Sequence, residues 1–249
     1  MGSAALAALR AGSAYDLMFV DVAGSRRREP LPACWDRPFE TAAPVRSFPS
    51  VKDGVNWPGY WWSATNGRHV GYESWVERDV AMMLDFDPAV TGFSSQPFWL
   101  YWPGEKGQRR HAPDFFARLA NGGGVVVDVR PDDQIDETAA EAFAATARVC
   151  AEAGWEFRRT GGPAAVLAAN VRWLAGYRHP RCFRAGVAQR LLEVFSRPAP
   201  LLSGVRQAGD PIAVLPVLYH LLWRHDLHAG LPAAVLGPGS VVGPAEVAG

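Results

Sequence analysis

Two acidic residues stand where acids are costly. Asp114 follows Pro113 at the head of the apolar run Phe115-Phe116-Ala117, and Asp128 interrupts the valines at 125, 126, 127 and 129. A carboxylate in such a strand requires a cation, a metal or several donors. The two runs are joined by the short turn Asn121-Gly122-Gly123-Gly124, so their side chains can converge. Arg130, two residues past Asp128, is expected on the same strand face, and Pro131 then ends the strand. A third carboxylate is expected from a helix, where Glu77, Val80 and Leu84 share a face; Glu73, one turn earlier, competes for that place. Two or three converging oxygen ligands suit Mg²⁺ or Mn²⁺. Such an ion can generate a hydroxide and stabilise the charge that develops as a phosphodiester is cut. The spacing alone also permits a local Asp128–Arg130 ion pair, with Asp114 capping a turn.

These residues need a scaffold. Tyr15–Val20 is predicted as a strand, Ser25–Arg28 as a basic turn, and Phe48–Trp62, rich in Pro, Gly and Trp, as an ordered loop. A helix is predicted over Tyr72–Leu84, stopped by Asp87-Pro88. Strands follow at 90–93, 98–102, 113–119 and 125–129, with a polar turn at 104–108. A helix over Ile135–Glu152 and a strand over Gly154–Arg159 complete a mixed α/β core. Beyond Gly162, helical patterns over 164–177, 184–196 and 212–224 precede a strand pair or wing at Leu231–Val242. The expected division is a strand and loop extension (1–45) packed on the core, a catalytic domain (46–162) and a winged-helix-like domain (163–249).

Composition narrows the class. The chain has 249 residues, 49 % hydrophobic and 20 % charged, which argues against disorder. No run of about 18 apolar residues is free of charge or Pro, so no membrane span is expected. Met1–Leu9 lacks a basic leader, and three widely spaced cysteines, Cys34, Cys150 and Cys182, indicate neither a disulfide framework nor a zinc site, so a cytoplasmic setting is expected. The formal net charge is zero, but from Asn170 onward 8 arginines face 4 acidic residues, a net of +4 that leaves −4 for the rest. An acidic half suits an enzyme that holds a divalent metal, and is poor for gripping long DNA unaided. Lys52 and Lys106 are the only lysines.

Other residues read as secondary. His111, three before Asp114, can contact phosphate or be structural, and Gln96 can touch the site or bond to backbone. Gly122–Gly124 lacks the Gly-Lys-Ser/Thr and following helix of a phosphate loop. His220, His225 and His228 have no metal-ligand spacing, and no serine-hydrolase or Cys-His protease motif is present.

Taken in order, Gly71-Tyr72-Glu73-Ser74-Trp75-Val76-Glu77-Arg78-Asp79, Leu84-Asp85-Phe86-Asp87-Pro88, Ser95-Gln96-Pro97, His111-Ala112-Pro113-Asp114-Phe115-Phe116 and Val127-Asp128-Val129-Arg130-Pro131 resemble the TnsA-type endonuclease subunit of heteromeric transposases. The similarity runs from about Pro44 to Arg159. It implies a restriction-endonuclease-like domain that nicks the 5′ ends of a transposon, while a DDE-type transposase cuts and joins the 3′ ends. It also implies a winged-helix-like second domain that meets an AAA+ ATPase regulator. The resemblance assigns Glu77, Asp114 and Asp128 to a Mg²⁺ or Mn²⁺ site. The family's closing motif reads Glu or Gln, any residue, Lys; here it is Asp128-Val129-Arg130. Arginine keeps the charge but does not give up a proton. The competing expectation is therefore a weak or inactive assembly subunit that docks the transposase and the ATPase.

Overall fold

The computed structural model describes residues 13–47, 57–105 and 107–245. The expectations placed on Met1–Leu9, on 48–56 of the Trp-rich stretch, and on Lys106 in the polar turn lie outside the described residues. The chain divides into two compact units, residues 1–84 with 89–162, and residues 163–249 with the short segment 85–88.

In the first unit, β1 (Asp16–Val20), β2 (Arg26–Pro30), β3 (Gly59–Ser63) and β4 (Arg68–Tyr72) lead to helix α1 (Trp75–Phe86). Then come β5 (Val90–Ser95), β6 (Trp99–Gly104), β7 (Gly107–His111), β8 (Phe115–Leu119) and β9 (Gly124–Val129), followed by α2 (Glu137–Ala153) and β10 (Glu156–Thr160). One sheet has the order β10-β9-β8-β5 and a second β2-β1-β6-β7; β3 and β4 form a hairpin. The β9–β10 pair is parallel and the β8–β9 pair antiparallel, giving the mixed sheet expected of a restriction-endonuclease-like core.

The valine run of β9 is buried on both faces. Val125 and Val127 pack with Val80, Ala81 and Leu84 of α1 and with Phe93, Phe115 and Ala117. Val126 turns the other way, onto Phe116, Ala142, Ala145 and Val149 of α2, and Leu17, Phe98 and Leu100. Each fully buried side chain of this size contributes about 1.5–3 kcal/mol, so β9 is firmly held between the two clusters. Helix α2, capped at its start by Asp136 and ended by Gly154 in the left-handed region (φ 69°), supplies the crossover that a parallel β9–β10 pair requires.

The structure corrects several local expectations. Ser25–Arg28 is not simply a turn: Arg26–Pro30 pairs with β1 as an edge strand, held by backbone bonds that its charged sequence does not advertise. Part of the expected loop, Gly59–Ser63, is a strand paired with β4. Strand β9 ends at Val129, one residue before Arg130; Asp128 is buried and Arg130 exposed, and both line the cleft described below.

The second unit contains α3 (Ala165–Ala175), α4 (Ala185–Val194), β11 (Ala199–Pro200), α5 (Leu201–Ala208), α6 (Pro211–Trp223), β12 (Leu227–Ala229) and β13 (Val241–Pro244). The sheet order is β11-β13-β12, all antiparallel. Helix α5 is an element that the sequence pattern does not announce. The expected strand pair within Leu231–Val242 is instead an irregular stretch ending in β13, whose partner β12 lies before it.

Candidate active site

Strand pairing brings the two central acids together. The β8–β9 register pairs Phe115 with Val127 and Phe116 with Val126. Continued by one residue, it sets Asp114 opposite Asp128. Both line a cleft of about 410 Å³, together with Glu73 and Glu77 from the start of α1, His111 and Arg110 from β7, Arg46 and Arg130. All four residues expected at the site thus face one cavity.

Asp128 is 1 % exposed. Its Oδ1 lies 2.9 Å from His111 Nε2, and its Oδ2 is buried with no hydrogen-bond partner. An orphaned, buried carboxylate oxygen is costly and calls for a cation or donor. Asp114 accepts a 2.7 Å bond from the Val129 amide through Oδ2. Burial, then the charges of Asp128 and Glu77, push the Asp114 carboxyl well above the usual carboxylate range, against the lowering effect of the Val129 N–H. Four carboxylates, Glu73, Glu77, Asp114 and Asp128, thus share the cleft with Arg46, Arg110, Arg130 and His111.

The helix carboxylates divide their work. Ser74 and Glu77 form a capping arrangement: the Glu77 amide donates to Ser74 Oγ at 3.2 Å, Ser74 Oγ donates to Glu77 Oε1 at 2.9 Å, and the Glu73 amide donates to Glu77 Oε2 at 2.8 Å. Burial raises the Glu77 pKa, and the two hydrogen bonds hold it back. Glu73 pairs with Arg46 at 2.8 Å through Oε2, while its Oε1 is buried and unpartnered. Among the described residues no group of three or more His, Cys, Asp or Glu side chains is already arranged to hold a metal ion. The donor set still fits one. Hard oxygens facing a polar cleft, two of them (Asp128 Oδ2 and Glu73 Oε1) orphaned, suit an ion that keeps most of its waters and binds through one or two carboxylates.

Arg130 lies exposed at the rim. Its amide donates to the Thr160 carbonyl at 2.8 Å, and its guanidinium makes a long 3.4 Å bond to the Gln134 carbonyl. Gln96 holds Asp114 from behind. Its amide donates to the Asp114 carbonyl at 2.9 Å, and its own carbonyl accepts from Val45 at 3.0 Å. Gln96 adopts a positive φ of 45°, and both polar atoms of its buried side chain lack partners, a local strain that the bracing of Asp114 accompanies. The role of His111 against Asp128 was not legible in the sequence; its only signal was its place three residues before Asp114. His220 Nδ1 and His225 Nε2 face the backbone carbonyls of Tyr177 and Phe86, as structural histidines do. Cys34 is buried, with its thiol pushed up to about 12, and offers no nucleophile.

Residues 87–160 match the family model described as TnsA-like endonuclease N terminal. No curated protein matches the chain. The matched stretch holds Asp114, Asp128, Arg130 and His111. Over residues 87–160, then, the chain is similar to TnsA-like endonucleases.

Proposed function

We propose that this chain is a divalent-metal-dependent DNA endonuclease subunit of a heteromeric transposase, hydrolysing phosphodiester bonds at the 5′ ends of the element. The observation that carries the reading is the placement of Asp114 opposite Asp128, with the buried Asp128 Oδ2 unpartnered, inside the stretch matched to the endonuclease family. Asp114 and Asp128 would hold Mg²⁺ or Mn²⁺, with a carboxylate from the start of α1, Glu77 by the resemblance, completing the set. The ion, when bound, supplies the activated water and the charge stabilisation. His111 holds Asp128 Oδ1, so that Oδ2 is presented to the cleft. Arg130 clamps the scissile phosphate. Its planar guanidinium stabilises developing charge there and does not take the place of a general base.

We infer that residues 46–162 form the catalytic domain, with 1–45 as an extension packed on it: β1 pairs with both β2 and β6. Residues 163–249 are read as winged-helix-like. The order α4, β11, α5, α6, β12, β13 and the sheet order β11-β13-β12 support that reading. The proposed partners are transposon-end duplex DNA, a DDE-type transposase subunit and an AAA+ ATPase regulator. No helix among the described residues is long and apolar enough to cross a membrane.

A second reading, an assembly subunit with weak or no activity, is favoured by Arg130 in place of the family's lysine and by the lack of a preformed three-ligand cage among the described residues. Nicking of end DNA by the reconstituted complex, in Mg²⁺ and in chelator, separates the two. Metal-dependent nicking supports the enzyme; its absence in both supports the scaffold.

A further inference from the structure

The sheet β2-β1-β6-β7 has one face on the core, where Leu17, Phe19 and Leu100 are buried, and an opposite face open to solvent. The open face alternates arginine and aromatic side chains. Register sets Arg28 beside Met18 and Met18 beside Trp99, and Asp16 beside Tyr101 and Tyr101 beside Arg110. The Arg28 guanidinium lies 4.1 Å over the Tyr101 ring, and that of Arg110 lies 4.5 Å over Trp99. Arg26 is exposed on the same face of β2. Among the described residues one acid, Asp16, answers these arginines, at 2.8 Å from Arg28. In a chain of zero net charge this is a local excess of cations.

We propose that this face is the track on which the DNA duplex beside the scissile phosphate lies. The inference rests on the endonuclease reading and names the surface that reading leaves open. Two observations select duplex DNA as the occupant. The first is continuity: Trp99 and Arg110 belong at once to the open face and to the lining of the cleft that holds Asp114 and Asp128. A backbone whose phosphate enters the cleft therefore meets Arg110 next, and then Arg28. The second is charge and geometry. A guanidinium stacked on an aromatic ring is held in place; that of Arg28 also bonds Asp16 through Nε and Nη2 and Gln108 through Nη1, which leaves the second N–H of each terminal nitrogen to meet phosphate oxygens. Phosphate binding of this kind positions the duplex without reading its sequence.

The test is the affinity of the purified full chain for a labelled transposon-end duplex in Ca²⁺, measured across a salt series. The variants are Arg28→Glu, Arg110→Glu, their double and the milder Arg110→Gln. Arg148→Glu, an exposed position on α2 outside the cleft, is the charge-matched control. Melting temperature verifies folding. The track requires the double variant to bind at least about tenfold more weakly and its salt slope to fall by about 1 for each phosphate no longer neutralised, with Arg110→Gln intermediate and Arg148→Glu within about twofold of wild type. Wild-type affinity and slope in the folded double variant would overturn the track while leaving the nuclease standing. So would unchanged DNA affinity with failure to capture the transposase, which would make the face a protein-docking surface. A wild type that neither binds nor nicks the duplex in Mg²⁺ would remove the endonuclease reading, and the track with it.

Discussion

Asp128 has one oxygen engaged and one free, and that asymmetry makes His111 a positioning residue for the proposed site. Groups that orient a metal-binding carboxylate typically matter 10–100-fold in affinity. His111→Ala should therefore weaken Mn²⁺ binding by about that factor in calorimetry, and His111→Gln, which keeps an N–H donor near Nε2, should restore part of it. Equal affinities in all three proteins would remove His111 from the site. Asp114 makes a pH prediction. Its folded pKa is raised, chiefly by burial and then by neighbouring carboxylates, so between its ordinary and its raised value the folded protein binds a proton that the unfolded chain does not. The associated stability is present at acid pH and is lost as pH rises through the raised value. Metal-free Asp114→Asn should therefore melt above wild type at neutral pH, with the gap closing below the ordinary carboxylate range. A gap that does not change with pH would contradict this.

At the scale of elements, the strands were more legible than the interactions between them. A valine run broken by one acid, a glycine turn and a Pro-Asp segment were enough to set Asp114 at the head of β8 beside Asp128 on β9. Gly122 in the left-handed region (φ 83°) makes that turn. Helix α1 starts at Trp75, three residues after the expected Tyr72, because Ser74-x-x-Glu77 is a helix-capping signature as well as the source of a possible ligand. Ser74→Ala should cost about 1 kcal/mol of stability in chemical denaturation. The His111–Asp128 pairing escaped the sequence because it joins strands of two different sheets, which no local spacing records. The edge strand β2 escaped because Arg-Arg-Arg-Glu-Pro has no apolar alternation and owes its conformation to β1. Helix α5, flanked by prolines and interrupted by Gly204, escaped for want of a long periodic pattern. That glycine has a packing reason: a Cβ there would meet the Phe195 ring, so Gly204→Ala should destabilise by about 1–3 kcal/mol. A neutral result would mean that Phe195 moves aside freely.

For the molecule as a whole, charge and chemistry are divided between two parts of the sequence. The acidic cleft lies in the first unit, and the residues from Asn170 onward carry the net +4. Yet α6, the apolar helix that precedes the small sheet, contains no lysine or arginine, and Val214, Val217, Leu218 and Leu221 are buried. It is poorly equipped to grip phosphate, which favours protein binding for this unit over base reading. Exposed Trp173, beside Tyr219 on an apolar groove of the same unit, is the place to test it. Trp173→Ala should leave end-DNA affinity unchanged and weaken association with the ATPase regulator in a pull-down; the reverse pattern would assign the unit to DNA. The central claim, that this chain cuts, is tested most directly by strand-specific cleavage of transposon-end DNA in the reconstituted complex with Mg²⁺, comparing wild type, Asp114→Ala and Asp128→Ala. The account predicts 5′-strand nicks from wild type and their loss in both variants, with 3′-strand cuts by the transposase retained. Identical 3′-strand cuts from all three proteins, with no 5′-strand cut from any, would contradict it and leave the chain a scaffold.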